Sequence, residues 1–586
     1  MPSRSHILIG NESLLVHCGS ALLDAGDSVA AVVTEVPEIV SWAESRQLRR
    51  FSNVDELGNA PELPFDFILS IGNLKIIPPA VLQRASIGGI NFHDGPLPEL
   101  GGLNTPAWAI MRGHAEHGIT WHWMTGAVDA GAIIAQRRFR IAPDETALTL
   151  NARCFDAAIS TLPDVIATIR SGPYPTNQTG VTPREVIRGV ARPVAAGALD
   201  WRRPAAELSA LVRGLDYGQY ANPLCLPKAL IGGASLAVPQ LLVLERSSGA
   251  TPGTLLAVAD DGLTVATGSQ DVRITKFRTL AGEALSAREA ALRFNLREGD
   301  ILGLPESLAA SVSAIDARVV PHEGWWIRHL AHCEPGTLPF PERGPAADGE
   351  MASVPLDLSA LPIVPGHAPA DVALALITGL LARLRGRAEF SVTYEEPALR
   401  GLTQEVQGWY ASAVPARLSV PFEGGLDALV EMVGRDLSAL RNRLTYPLDL
   451  ILRQPTLRHM PAAMPIALVV AAEPELVAPR MESDVTFVVS EDGSRGRLQY
   501  NTARLTTEQA ASLSDRLALL ARGFRKARNL PLGSSRSWPT MSVDAWCATG
   551  MPPAPRWTPA APSMNWCTSV PRCIPSRWHW CAADEA

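Results

Sequence analysis

Short apolar runs alternate with stretches of helical spacing through the first hundred residues. Residues 6–9, 29–33, 65–70 and 87–92 are brief, apolar and bounded by turn-forming residues, the pattern of buried strands. Residues 14–23 carry apolar positions at helical spacing, and residues 37–47 suit a second helix. Strands alternating with helices predict an α/β fold with a parallel sheet covered on both faces. Only Gly10 follows the first strand, so the GxGxxG dinucleotide fingerprint is missing despite the wound topology.

The pattern changes further along. Residues 172–193 are polar and rich in Gly, Pro and Thr, which predicts a linker. A helix is predicted over residues 205–215. Short strands follow at 235–244, 253–258, 262–266 and 272–277, which together suit a small barrel. Residues 302–370 are Pro-rich and mixed, and a larger αβ region runs from about 370 to 529. Within it, residues 372–381 read as a buried helix, too short to span a membrane. The last fifty residues are Pro, Trp, Cys and Ser without periodicity and are expected to be poorly ordered.

Composition narrows the classes. A hydrophobic content of 47% with 19% charged residues is that of a globular chain, which excludes a wholly disordered one. A net charge of −7 gives no electrostatic footprint for nucleic acid. No membrane span and no secretory signal are read from the sequence, and the eight cysteines include no CxxC pair. The expectation is a cytoplasmic protein with reduced thiols and no structural metal.

Chemistry concentrates between residues 89 and 136. Asn91 and His93 stand at i and i+2 at the end of a predicted strand, so both point to one side of the sheet. The chain then breaks at Gly95, Pro96 and Pro98. Polar residues at the carboxyl end of such a strand face the crevice where these sheets bind ligands. Asp129 lies in a short loop, residues 127–131, that can return to the same crevice. An amide, an imidazole and a carboxylate suit acyl transfer to an amine: the amide stabilises an oxyanion, and the imidazole takes the amine proton. The carboxylate orients the ring or relays a proton through water. No Ser or Cys nucleophile is placed beside His93, which favours direct transfer. An Asn-x-His pair alone is a weak signal, since most such pairs are structural or surface residues. His114, His117 and His122 raise a metal site, but the spacing of His117 and His122 does not match helical ligand geometry, and solvent or supporting roles are expected.

Several motifs occur here in order: Asn91-Phe92-His93, Leu97-Pro98, Gly102, Trp108-Ala109-Ile110 and Val128-Asp129-Ala130-Gly131. The segment resembles the catalytic core of the 10-formyltetrahydrofolate-dependent formyltransferases. The resemblance implies a Rossmann-like domain over residues 1–190 and assigns the catalytic triad to Asn91, His93 and Asp129. His93 would be the base, Asn91 the oxyanion donor, and Asp129 the support for His93 or a water. It also implies a folate site formed by residues 71–78 and the segment around Asp129, with Leu74, Ile76 and Ile77 near the pterin and Gly102, Val128 and Gly131 completing it. The loop around Gly101 and Gly102 would admit the acceptor. Leu199-Asp200-Trp201 and Val212-Arg213-Gly214 resemble the family's C-terminal OB-like barrel, here residues 191–300.

The phrase NFHDGPLP, then GLN and WAI, is most similar to formyltransferase domains at the front of nonribosomal peptide synthetases. After an expected linker at 301–369, residues 370–530 resemble the C-terminal half of a condensation domain. The features are the helical region 426–442 and the run 483–501 before a closing helix, 507–524. The HHxxxDG motif of condensation domains is absent, so a degenerate docking unit is expected. Residues 544–550 resemble a linker into an adenylation domain, and 531–586 form the tail. The resemblance therefore implies formyl transfer from 10-formyltetrahydrofolate to an aminoacyl group on a carrier protein, with adenylation and carrier modules as partners. The alternatives are a free small amine such as an amino sugar or hydroxyornithine, methionyl-tRNA, and a non-catalytic scaffold fragment. The tRNA acceptor is disfavoured because the barrel region mixes acids and bases about equally.

Overall fold

The computed structural model of the chain describes residues 3–60, 63–172, 174, 180–338, 349–461 and 464–534. The tail expected to be poorly ordered lies, from residue 535 on, outside the described residues.

The N-terminal third contains β1 (Ser5–Ile9), β2 (Ser28–Val33), β3 (Arg50–Phe51), β4 (Phe67–Ser70), β5 (Gly88–His93), β6 (Gly101–Gly102), β7 (Glu116–Trp123), β8 (Ile133–Arg140) and β9 (Val186–Ile187). Seven of them form one sheet in the order β3-β2-β1-β4-β5-β7-β8. Alternation sends Leu8, Val32, Phe67 and Leu69 to one face, under the helices Leu14–Asp24 and Ala147–Ser171. Ile7, Ile9, Val33 and Ile68 go to the other face. The expected α/β architecture is present, but the sheet is mixed rather than parallel. β5 pairs antiparallel with β7, and β7 with β8. The connection at residues 124–132 is too short for the crossover that parallel strands require.

The middle of the chain forms β10 (Lys228–Ile231), β11 (Ala234–Val243), β12 (Leu255–Ala259), β13 (Gly262–Val265), β14 (Val272–Thr279) and β15 (Ala284–Leu285). They build an antiparallel sheet, β10-β11-β14-β13-β12 with β15 on β14, packed on the helix Ala205–Gly214. Among the described residues no pairing joins β10 to β12, so the expected OB-like barrel is not confirmed.

The last sheet contains β16 (Met351–Pro355), β17 (Glu389–Glu395), β18 (Val414–Ser419), β19 (Ile466–Ala471), β20 (Val485–Ser490) and β21 (Gly496–Asn501), in the order β16-β21-β20-β19-β17-β18. The helices Pro369–Arg385, Leu426–Arg441 and Thr507–Lys526 bury their apolar stripes with it in the largest core of the molecule.

Among the described residues, neither expected linker is only loose chain. Residues 301–369 contain the helices Glu306–Val319 and Glu323–Ala331. Val312 and Val319 pack against Trp409 and Tyr410, and Trp326 and Leu330 join the last core. Residues 172–193 contain β9, which pairs with β6. Buried ion pairs fasten the middle sheet to the last region: Lys228 meets Asp449 at 2.7 Å, and Arg453 joins Asp449 to Glu323. No helix among the described residues is long and apolar enough to cross a membrane.

Candidate active site

β5 is an interior strand of its sheet, between β4 and β7, and ends at His93. In the adjoining β4, Ser70 is in register with Asn91. The chain turns immediately past His93, and Gly95 makes the turn possible: a Cβ there would lie 2.6 Å from both His93 Nε2 and the Leu100 carbonyl. His93 Nε2 donates to that carbonyl at 2.8 Å. A carbonyl only accepts, so Nε2 carries the proton and Nδ1 keeps its lone pair. Nδ1 lies 3.6 Å from Asp129 Oδ2 and 3.8 Å from Asp94 Oδ1, with the ring almost fully buried. An imidazolium formed at Nδ1 would meet two carboxylates.

Asp129 stands at the tip of the β7–β8 connection with φ of +48°. Its Oδ2 accepts the Gly102 N–H at 2.7 Å, and its Oδ1 lies 3.6 Å from His122 Nε2. Burial pushes this carboxyl up, but the neighbouring His122 and His93 rings and the Gly102 N–H outweigh it and hold Asp129 below the ordinary carboxylate value. Asp94 behaves oppositely: burial raises it despite His93 and the Thr105 hydroxyl. β6 and β9 fix Gly102, whose φ is +91° and whose Cβ would lie 2.1 Å from the Ile187 carbonyl. Gly131 packs equally closely, since a Cβ there would meet the Trp123 carbonyl at 1.8 Å.

The sequence left His122 between a solvent and a supporting role, and its partners place it in support of the site. It is in register opposite Asn91 across β5 and β7. Its Nδ1 donates to the Trp123 carbonyl at 2.9 Å, and its Nε2 accepts from Asn91 Nδ2 at 3.2 Å. One buried ring thus touches both the amide and the carboxylate of the site. Its only sequence signal was alternation along a strand that the apolar pattern did not separate from its neighbour. His117, on the same strand, donates to the Asp94 carbonyl at 2.8 Å, and burial drives it down to about 4.

The structure brings Asn91, His93, Asp129 and Gly102 together, with Gly131 in the Asp129 loop. Leu74 and Ile76 are 69% and 80% exposed, and Val128 is 50% exposed. These bare apolar side chains stand on the loops at the carboxyl end of the sheet, where a flat heteroaromatic ring would cover them, so the residues present fit a folate. Ile77 differs from expectation. Its side chain is buried among Ile9, Val33 and Ile68, because the loop re-enters the core there. Among the described residues no Ser or Cys hydrogen-bonds His93, and no group of three or more His, Cys, Asp or Glu side chains is arranged to hold a metal ion.

An amide, an imidazole with a free Nδ1 and an ionised carboxylate at the end of an α/β strand define a site for direct group transfer. Residues 23–166 match the family "Formyl transferase", and residues 194–295 match "Formyl transferase, C-terminal domain". Methionyl-tRNA formyltransferase of Paraburkholderia phymatum is 35% identical over 230 residues, which cover 39% of this chain and 67% of that protein. The Paraburkholderia xenovorans protein of the same name is 31% identical over 274 residues, covering 45% and 80%. Among solved structures, HypX from Aquifex aeolicus in complex with tetrahydrofolic acid is 18% identical, with a TM-score of 0.37 over 52% of this chain and 51% of its own. An N-formyltransferase from Helicobacter canadensis in complex with folinic acid and dTDP-3-aminofucose is 15% identical, with a TM-score of 0.38 over 47% and 99%. The chain belongs to the formyltransferase family. It is an enzyme of formyl transfer.

Proposed function

We propose that this chain transfers the formyl group of 10-formyltetrahydrofolate to the primary amine of an aminoacyl group held on a carrier protein. The observation that carries formyl transfer is the fixed His93 ring, with Nε2 tied to Leu100 and Nδ1 open beside Asp129. Leu74, Ile76 and Val128 would hold the donor, which supplies an activated formyl carbon. His93 Nδ1 removes the proton from the attacking amine and passes it to N10 of the departing tetrahydrofolate as the formyl C–N10 bond breaks, while Asp94 and Asp129 offset the charge the ring carries between. One N–H of the Asn91 amide is committed to His122. The other is available where negative charge gathers on the formyl oxygen. Asp129, kept ionised by its partners, steadies the ring throughout.

The carrier-bound acceptor is supported by the second α/β region, which lies beyond the family match ending at residue 295 and is fastened to it by buried ion pairs. Methionyl-tRNA is the second reading, favoured by the 35% identity to methionyl-tRNA formyltransferase. Intact-mass analysis after incubation with 10-formyltetrahydrofolate separates the readings. A gain of one formyl on aminoacyl carrier proteins, lost in His93→Ala, is expected. Formylation confined to methionyl-tRNA or to free amines would overturn the carrier assignment. Full turnover in a folded His93→Ala protein would remove His93 from the chemistry.

A further inference from the structure

A cavity of about 140 Å³ opens at the carboxyl end of β17, far in sequence from the formyl site and sharing no residue with it. Leu399, Leu402, Val414, Leu440 and Leu444 supply its apolar walls. Its polar lining is Arg318, Tyr394, Glu396 and Arg441. These four are not equally engaged. Arg441 is bound twice by Asp371, at 2.6 and 3.0 Å, and also reaches Glu396 Oε2 and the Tyr394 hydroxyl. Tyr394 donates to the same Glu396 Oε2 at 2.6 Å. Glu396 Oε1 makes no hydrogen bond, and the exposed guanidinium of Arg318 has no carboxylate partner among the described residues.

The cavity therefore offers one open carboxylate oxygen, one open guanidinium and a small leucine-lined space. We propose that it binds a free aliphatic α-amino acid of valine or leucine size. The ammonium would pair with Glu396 and the carboxylate with Arg318, the charge-assisted contact for which a planar guanidinium is suited. The side chain would fill the apolar end. A space of this volume takes a benzene-sized group, which a branched four-carbon side chain approximates, and is too small for a folate. The ligand would also sit where the ends of parallel strands commonly hold one, since β17 runs parallel to β19 and the chain leaves it in the opposite direction to reach β18.

Titration calorimetry of the full chain with L-leucine tests the site. One saturable site is expected. Arg318→Ala should weaken it by about tenfold or more, as the loss of a charge-assisted contact implies. Leu402→Trp, which fills the apolar end, should abolish it, with melting curves confirming that both variants are folded. 4-Methylpentanoate, which lacks the amine, and 3-methylbutylamine, which lacks the carboxylate, should each bind far more weakly. Absence of saturable leucine binding to the unaltered chain, or binding indifferent to both substitutions, would overturn the proposal. So would 4-methylpentanoate binding as tightly as leucine.

Discussion

Replacing His122 by alanine removes the ring that touches both Asn91 and Asp129 while leaving His93 in place. Two contacts are lost, a hydrogen bond of 3.2 Å to Asn91 and an approach of 3.6 Å to Asp129. At about 1 kcal/mol for that hydrogen bond, the loss is roughly fivefold in kcat. KM for the folate should change little, because the His122 ring is buried whereas Leu74 and Ile76 are exposed. The pH profile should move as well. His122 supplies the first of the forces that hold Asp129 down against burial, so without it the Asp129 carboxyl rises. In the unaltered protein the folded value lies below the unfolded one. Its contribution to stability is therefore present above the ordinary carboxylate value and is lost as pH falls through the folded value. The variant gives up part of that contribution, and the acid limb of activity shifts to higher pH. His122→Gln, whose amide oxygen can accept from Asn91, should recover much of the rate. Initial rates of tetrahydrofolate release across pH 4–9 at saturating acceptor measure all of this. A kcat for His122→Ala within about twofold of the parent, with an unmoved acid limb, would refute the bridging role.

Three further outcomes are expected, beside the loss of turnover in His93→Ala. Gly102→Ala places a Cβ 2.1 Å from the Ile187 carbonyl at a φ of +91°. It should destabilise by about 2–3 kcal/mol and lower kcat, and a urea midpoint equal to the parent's would contradict this packing. Asp449→Asn leaves Lys228 and Arg453 buried without their shared carboxylate, at a cost of about 3–5 kcal/mol. Tryptophan fluorescence during denaturation reads it through Trp409 and Trp326, and a shift below about 1 kcal/mol would show that the seam does not depend on this pair. Leu74→Ser combined with Ile76→Ser should raise KM for 10-formyltetrahydrofolate by about tenfold through lost apolar contact, with the melting temperature unchanged. An unaltered KM would take this loop out of the folate site.

The local features were readable without coordinates. β1, β2, β4 and β5 fall where dense apolar runs predict strands, and the helices Leu14–Asp24, Ala205–Gly214 and Leu426–Arg441 where helical spacing predicts them. Asn91 and His93 were found because alternation along a strand and the break at Gly95 are properties of neighbouring residues. β8 left a weaker trace. It is an edge strand with Arg137, Arg138 and Arg140 largely facing solvent, so it lacks the apolar density of a buried strand. The prolines of residues 301–369 predict loose chain, yet among the described residues two helices stand there. Pro305 and Pro321 instead stand just before a helix and within its 3₁₀ continuation, where the missing N–H costs little.

The sequence by itself determined the wound α/β character of the first domain, the family resemblance and the identity of the three polar residues at its centre. Tertiary structure alone decided how those residues work. The register of β5 on β7 set His122 against Asn91, and the Leu100 carbonyl chose which nitrogen of His93 keeps its lone pair. The pairing of β6 with β9 seated Gly102 where its N–H holds Asp129. Each of these depends on groups brought together across loops. A pattern of apolar and polar positions records which way a side chain faces, but not which distant group it will meet there.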